Sequence, residues 1–216
     1  VRGPLSAARR YTSATGNASF GYFGGGSPGL VSTVDRIDYS SDTGTAPAKG
    51  PLSLARSHLA ATGNASFGYF GGGGPGPAQL STVDRIDYSN DTATASPKGP
   101  LSLARRYTSA TGNADFGYFG GGGNPSTHST VDRIDYSNDT ATASPKGPLS
   151  VGRNRLSAVG ARANGFTVVG PAVVSNAAAM AVPNARSFGY FGGGSPSTRS
   201  TVHRIDYSND TATAAV

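Results

Sequence analysis

Apolar and polar positions in this chain recur together. The string GYFGGG begins at Gly21, Gly68, Gly117 and Gly189, and each copy is followed by VDRIDYSNDT or a near variant of it. Between these landmarks the apolar residues fall in short runs bounded by Gly, Asn, Asp, Ser and Pro, a pattern that predicts strands and turns rather than helices. In the third unit it predicts four strands, at 106–110, 116–119, 130–136 and 140–143. In the strand at 130–136, alternation sends Val131, Arg133 and Asp135 to one face and Asp132, Ile134 and Tyr136 to the other. Thr111-Gly112-Asn113 and Ser137-Asn138-Asp139 read as turns, because Gly and Asn tolerate positive φ and Asx side chains bond nearby backbone.

The tetrapeptide GPLS at Gly3, Gly50, Gly99 and Gly147 sets a period of 47 to 49 residues. A period in the high forties, with four short antiparallel strands per unit, is the sequence form of a propeller blade. The expected fold is therefore all-β, a single β-propeller domain over residues 1–216 with four-stranded antiparallel blades. Units run over 3–49, 50–98 and 99–146; the pattern then breaks, leaving a half unit at 147–169 and a unit with a degenerate start at 170–216. That reading gives about five units, one of half length. The alternative is four blades with an insertion of about two dozen residues. Joining the final TATAAV to the initial VRGPLS nearly recreates the internal junction TATASPKGPLS, as expected either of a closed ring whose termini meet inside one blade or of an open array that continues in a longer protein.

Composition alters this picture little. Gly and Pro are abundant, at 32 and 14 residues, but the strict repeat argues against low-complexity disorder. With no cysteine there is neither a disulfide, a thiolate metal site nor a thiol nucleophile. No apolar run approaches the roughly 20 residues that cross a bilayer, so no membrane span is expected. The net charge of +6 is spread over the repeats rather than blocked together, which argues against a nucleic-acid partner.

The hydrophobic-Gly-Gly step after the second strand, an Arg early in each unit and the VDRIDYSNDT segment resemble the kelch type of β-propeller. The chain departs from that pattern in having no Trp. The wording of the repeat, GYFGGG with STVDRIDYSNDTATA and KGPLSLAR, is similar to repetitive propeller-like proteins of marine bacteriophages, cyanophages included. The resemblance implies a virion or extracellular location and a fibre, decoration or adhesin module. Its partners would be other proteins of that assembly, or glycans of a host surface.

The candidate chemistry is thin. GYFGGG lacks the Lys-Ser/Thr of a phosphate-binding loop. Asp132, Asp135 and Asp139 do not have the spacing of a calcium loop, and Arg36, Arg85, Arg133 and Arg204 are expected to pair with aspartates of a neighbouring strand or blade. His58, His128 and His203 occupy three different positions of the repeat, so no shared metal site is expected. The only large break in the repeat, 151–187, contains no Asp, Glu, His or Lys and so offers no acid, base or metal ligand. The expected function is a non-enzymatic structural or interaction module without cofactor, with a glycan-binding propeller as the alternative. Ligand contacts are expected from the variable loops between second and third strands and from the inter-unit connections beside them: Gln79, His128, Arg199, Lys49, Lys98 and Lys146.

Overall fold

The computed structural model describes residues 2–123, 125–160, 188–195 and 200–216. Each repeat folds as a small antiparallel sheet. The first blade is β1 (Ser13–Gly16), β2 (Phe20–Gly24), β3 (Val34–Asp38) and β4 (Ala48–Lys49). The second is β5 (Ala60–Gly63), β6 (Phe67–Gly71), β7 (Val83–Asp87) and β8 (Ser96–Lys98), and the third β9 (Ser109–Gly112), β10 (Phe116–Gly120), β11 (Val131–Asp135) and β12 (Ser144–Lys146). In the fourth, β13 (Ser157–Gly160), β14 (Phe188–Gly192) and β15 (Val202–Asp206) pair in order, and a lone bridge from Arg204 to Ala215 marks the outer edge. The protein is a four-bladed β-propeller, with the first strand of each blade nearest the axis.

Of the two unit counts left open by the sequence, the structure adopts four blades. The expected half unit at 147–169 and the expected fifth unit at 170–216 are one blade, because β13 pairs with β14 from Ser157 opposite Gly192 to Gly160 opposite Gly189. The register is that of β9 on β10, from Ser109 opposite Gly120 to Gly112 opposite Gly117. The extra sequence therefore falls between the first two strands of the fourth blade. Nor do the termini share a blade: the strands of the first lie within 13–49, and those of the fourth within 157–215.

Two other boundaries move. The first strand of the third unit starts at Ser109 rather than at 106 and runs through Thr111 and Gly112; the turn follows at Asn113, whose Oδ1 accepts from the amides of Asp115 and Phe116 at 2.9 and 2.8 Å. The fourth strand is Ser144–Lys146, not 140–143. Pro145 is compatible with it because this is the outer edge, where a missing N–H costs no ladder bond. The Asx turn after β11 is made by Asp135, which accepts from the Ser137 amide at 2.9 Å and opens a 3-10 turn over Tyr136–Asn138.

Among the described residues the core is not one mass but three layers, between the first and second, second and third, and third and fourth blades. Tyr69 and Val83 of the second blade pack on Leu101, Phe119, Ile134, Tyr136 and Ala143 of the third. The alternation predicted for residues 130–136 accounts for this: Ile134 and Tyr136 face the preceding blade, while Val131 faces the following one. Glycines at the ends of the second strands let the rings in. A Cβ on Gly120 would lie 2.6 Å from Cε1 of Phe191, whereas at the equivalent Gly192 of the fourth blade the nearest described atom is Val202 Cγ2 at 3.5 Å. Gly120→Ala is accordingly expected to cost about 1–3 kcal/mol in urea unfolding. Gly192→Ala should stay within about 0.5 kcal/mol of the parent. Equal losses would mean that the fourth blade is packed like the others.

Candidate functional site at the axial mouth

The joints between blades absorb most of the chemistry-bearing residues of the repeat. At the second joint, Asp139 of the third blade accepts from the Tyr69 hydroxyl at 2.9 Å and the Arg85 guanidinium at 2.7 Å, with Lys98 Nζ 3.6 Å away. Asp91 receives Tyr22, Arg36 and Lys49 in the same way, and Asp210 receives Tyr118, Arg133 and Lys146. The three tyrosines stack on Tyr88, Tyr136 and Tyr207 with ring centroids 4.8 Å apart. Burial, and next the bond donated to the aspartate, raise the phenol pKa of Tyr22, Tyr69 and Tyr118 far above 10. Arg36, Arg85 and Arg133 thus pair across blades as expected, while no carboxylate pairs with Arg204 among the described residues.

A second set of pairs lies inside each blade. Arg9, Arg56 and Arg105 reach Asp35, Asp84 and Asp132 at 2.7, 3.2 and 2.9 Å, all with buried side chains. The fourth blade has Arg153 and His203 in these places, both fully buried. Arg153 turns to the carbonyls of Gly193 and Thr201 and the Thr201 hydroxyl. Burial, and then the nearby guanidinium, hold the His203 imidazole below its usual pKa.

With these groups engaged, the variable chemistry gathers around the axis. Tyr11, His58, Tyr107 and Arg155 occupy one position of the repeat, just before the innermost strand, and all four have left-handed backbone with φ of 60, 58, 59 and 53°. That conformation costs a non-glycine residue on the order of 1–2 kcal/mol, and here the ring of blades enforces it. His58 N donates to Tyr11 O at 3.1 Å, Tyr107 N to His58 O at 3.0 Å and Arg155 N to Tyr107 O at 3.0 Å, a backbone ladder running from blade to blade. The side chains follow the same order. Tyr11 stacks on His58 at 4.0 Å, His58 meets Tyr107 edge-on at 4.3 Å, and Arg155 lies over Tyr107 at 4.5 Å. Arg10 and Arg106 flank the row over Tyr11 and Tyr107, each at 5.1 Å. The His58 pKa is lowered by burial first and by these three cations next, so the ring stays neutral near pH 7, with Nδ1 2.9 Å from the Ser57 hydroxyl. Beneath the row, Thr12, Leu59, Thr108 and Ala158 line an axial cavity of about 310 Å³.

The sequence-predicted rim residues are divided between the two settings. Lys49, Lys98 and Lys146 sit in the outer strands and face the joint aspartates. Gln79 Oε1 accepts from the Arg106 amide at 3.3 Å, which places that loop beside the mouth. The His128 amide donates to Gly122 O, its carbonyl accepts from Arg153 N, and burial lowers its imidazole pKa. Arg199 lies outside the described residues. The mouth row was missed in the sequence. Its only signal was a column reading Tyr, His, Tyr, Arg, flanked by columns that vary as well, Arg10, Ser57, Arg106 and Asn154 before it and Thr12, Leu59, Thr108 and Leu156 after it. Neither family models nor curated proteins give a match to this chain. Among the described residues no helix is long and apolar enough to cross a membrane, and no three His, Cys, Asp or Glu side chains come together to hold a metal.

Proposed function

We propose that the protein is a non-enzymatic interaction module, a rigid propeller that serves a virion or another extracellular assembly and meets its partner at the axial mouth. The observation that supports this is the fate of the repeated polar residues. Aspartates, arginines, lysines and tyrosines that could have formed catalytic groups are engaged in blade joints, while the strained ring at the axis carries Tyr11, His58, Tyr107 and Arg155 in turn. Rigid frames with one diversified rim suit recognition. A glycan ligand is the second reading, favoured by the aromatic row itself: flat rings at Tyr11, His58 and Tyr107 flanked by Arg10, Arg106 and Arg155 suit a sugar carrying carboxylate or sulfate.

One experiment addresses both readings. The folded protein is offered a panel of glycosides, phosphate esters and carboxyl esters, and in parallel an array rich in uronic and sulfated glycans. No turnover is expected. Binding to acidic glycans that disappears in Tyr107→Ala and Arg155→Ala, with the circular dichroism spectrum retained, selects the second reading. Turnover abolished by a single substitution at the mouth overturns the proposal.

A further inference from the structure

Three cations at the axial mouth have no anion of their own. All twelve acidic side chains of the protein lie among the described residues, and none of them pairs with Arg10, Arg106 or Arg155. Arg10 lies over Tyr11 at 5.1 Å, and Arg106 and Arg155 lie over Tyr107 at 5.1 and 4.5 Å. Positive charge therefore covers the aromatic faces on which a neutral sugar would stack.

On one side of this mouth, buried polar groups lack partners. Buried polar atoms are normally hydrogen-bonded, yet Arg106 Nε, Thr108 Oγ1 and Asn154 Oδ1 are buried without a partner. The equivalent Arg10, Thr12 and Ser57 carry no such atom. Thr108 and Asn154 are only 8% and 5% exposed. Gly122 and Gly123 bring the three residues together. The Gly123 amide donates to Arg106 O at 2.7 Å, Gly123 O accepts from Asn154 Nδ2 at 2.7 Å, and a Cβ on Gly122 would lie 2.6 Å from Cγ2 of Thr108. The set comprises a guanidinium N–H that donates, a hydroxyl that donates and accepts, and an amide oxygen that accepts. A bare anion has no use for the Asn154 oxygen; an acid that carries hydroxyls engages all three.

Thr108 also lines the axial cavity, which the innermost strands of all four blades enclose. At about 310 Å³ it falls at the lower end of small-molecule sites, roughly 300–1,000 Å³, a space for one sugar ring rather than a chain. We infer that the mouth captures the terminal residue of an acidic glycan, with its acid group between Arg106 and Arg155, its ring at the axial cavity and its hydroxyls on Thr108 Oγ1 and Asn154 Oδ1. The inference rests on the acidic-glycan reading of the mouth and adds the chain end as the unit recognised. An internal residue continues on both sides and cannot enter a space ringed by blades; a terminal residue continues on one side only.

Isothermal titration calorimetry of the whole protein tests this with methyl glucuronide, glucose sulfate and methyl glucoside, then with uronate oligomers of increasing length. The two acidic sugars should bind at one site and the neutral one should not. Affinity per oligomer should stay level with length, because each oligomer presents one fitting end. Thr108→Val should weaken binding about tenfold, the loss of one hydrogen bond. Its thermal midpoint should hold or rise, since the deleted hydroxyl has no partner in the free protein. Thr12→Val, on the opposite blade, should leave the affinity unchanged. Affinity that climbs in proportion to chain length, or equal losses in the two valine variants, overturns end capture and leaves the mouth as a site for chain interiors. Array binding without binding of either acidic monosaccharide overturns it in the same way. Absence of all binding removes the glycan reading together with the inference.

Discussion

Asp132→Asn is expected to destabilise the protein by about 3–5 kcal/mol in urea unfolding at pH 7, because it leaves a buried guanidinium without its charge partner. Arg105 and Asp132 are fully buried and 2.9 Å apart; Asp132 also accepts from the Ser102 amide at 3.0 Å and hydroxyl at 2.6 Å. In the fourth blade His203 stands in place of the aspartate beside Arg153, whose guanidinium donates to the Gly193 and Thr201 carbonyls. His203→Asp restores the residue pair of the other blades and is expected to stabilise by about 1.5–3 kcal/mol. The pH dependence separates this from a packing effect. The folded-state pKa of His203 is lowered from 6.5, so its neutral form is the native one. The stability tied to it is complete above about 6.5 and is lost as pH falls from there towards the folded value, where the unfolded chain binds the extra proton. His203→Asp should remove this acid-side loss. If it leaves both the midpoint and the pH profile unchanged, the fourth blade has compensated for its missing carboxylate in another way.

The second large effect lies at the alkaline end. Tyr22, Tyr69 and Tyr118 have pKa values raised far above 10 by burial and by the hydrogen bonds they donate to Asp91, Asp139 and Asp210. In the unfolded chain each would ionise near pH 10. Above that pH the unfolded state binds fewer protons than the folded one, so stability falls by about 1.4 kcal/mol per pH unit for each tyrosine, and about 4 for the three together. Against a total of roughly 5–15 kcal/mol, the domain should unfold cooperatively between about pH 11 and 13. Absorbance at 295 nm should show at least these three of the ten tyrosines ionising only in the step where circular dichroism is lost. Smooth ionisation of all ten near pH 10 with the fold intact would show that the joints are wet.

The interior of each blade was legible in the sequence because aromatic and β-branched residues alternate there with period two. Strands 116–119 and 130–136 were placed within one residue, and the two faces of the latter were assigned correctly. The pairing of Arg36, Arg85 and Arg133 followed from the match of guanidinium to carboxylate. Errors arose where local preference and tertiary position disagree. Thr140 and Thr142 favour a strand, yet residues 140–143 turn so that Ala143 can enter the core, and the edge ladder passes to a segment containing Pro145. The degenerate stretch from 170 imitated the start of a further unit, whereas pairing register assigns 157–160 to the same blade as 188–192. The mouth was hidden for a different reason. Tyr, His and Arg carry no signal for positive φ, which at Tyr11, His58, Tyr107 and Arg155 is imposed by neighbouring blades rather than by the residue.

Among the described residues, core layers join the first blade to the second, the second to the third and the third to the fourth, so the outer blades are each held by one layer and the inner blades by two. The monomer therefore behaves as a short linear lattice with nearest-neighbour coupling. Its opening starts at the ends, so amide hydrogens of β5, β6, β9 and β10 should exchange last and those of β1 and β14 first, a gradient that sealing the two ends together would abolish.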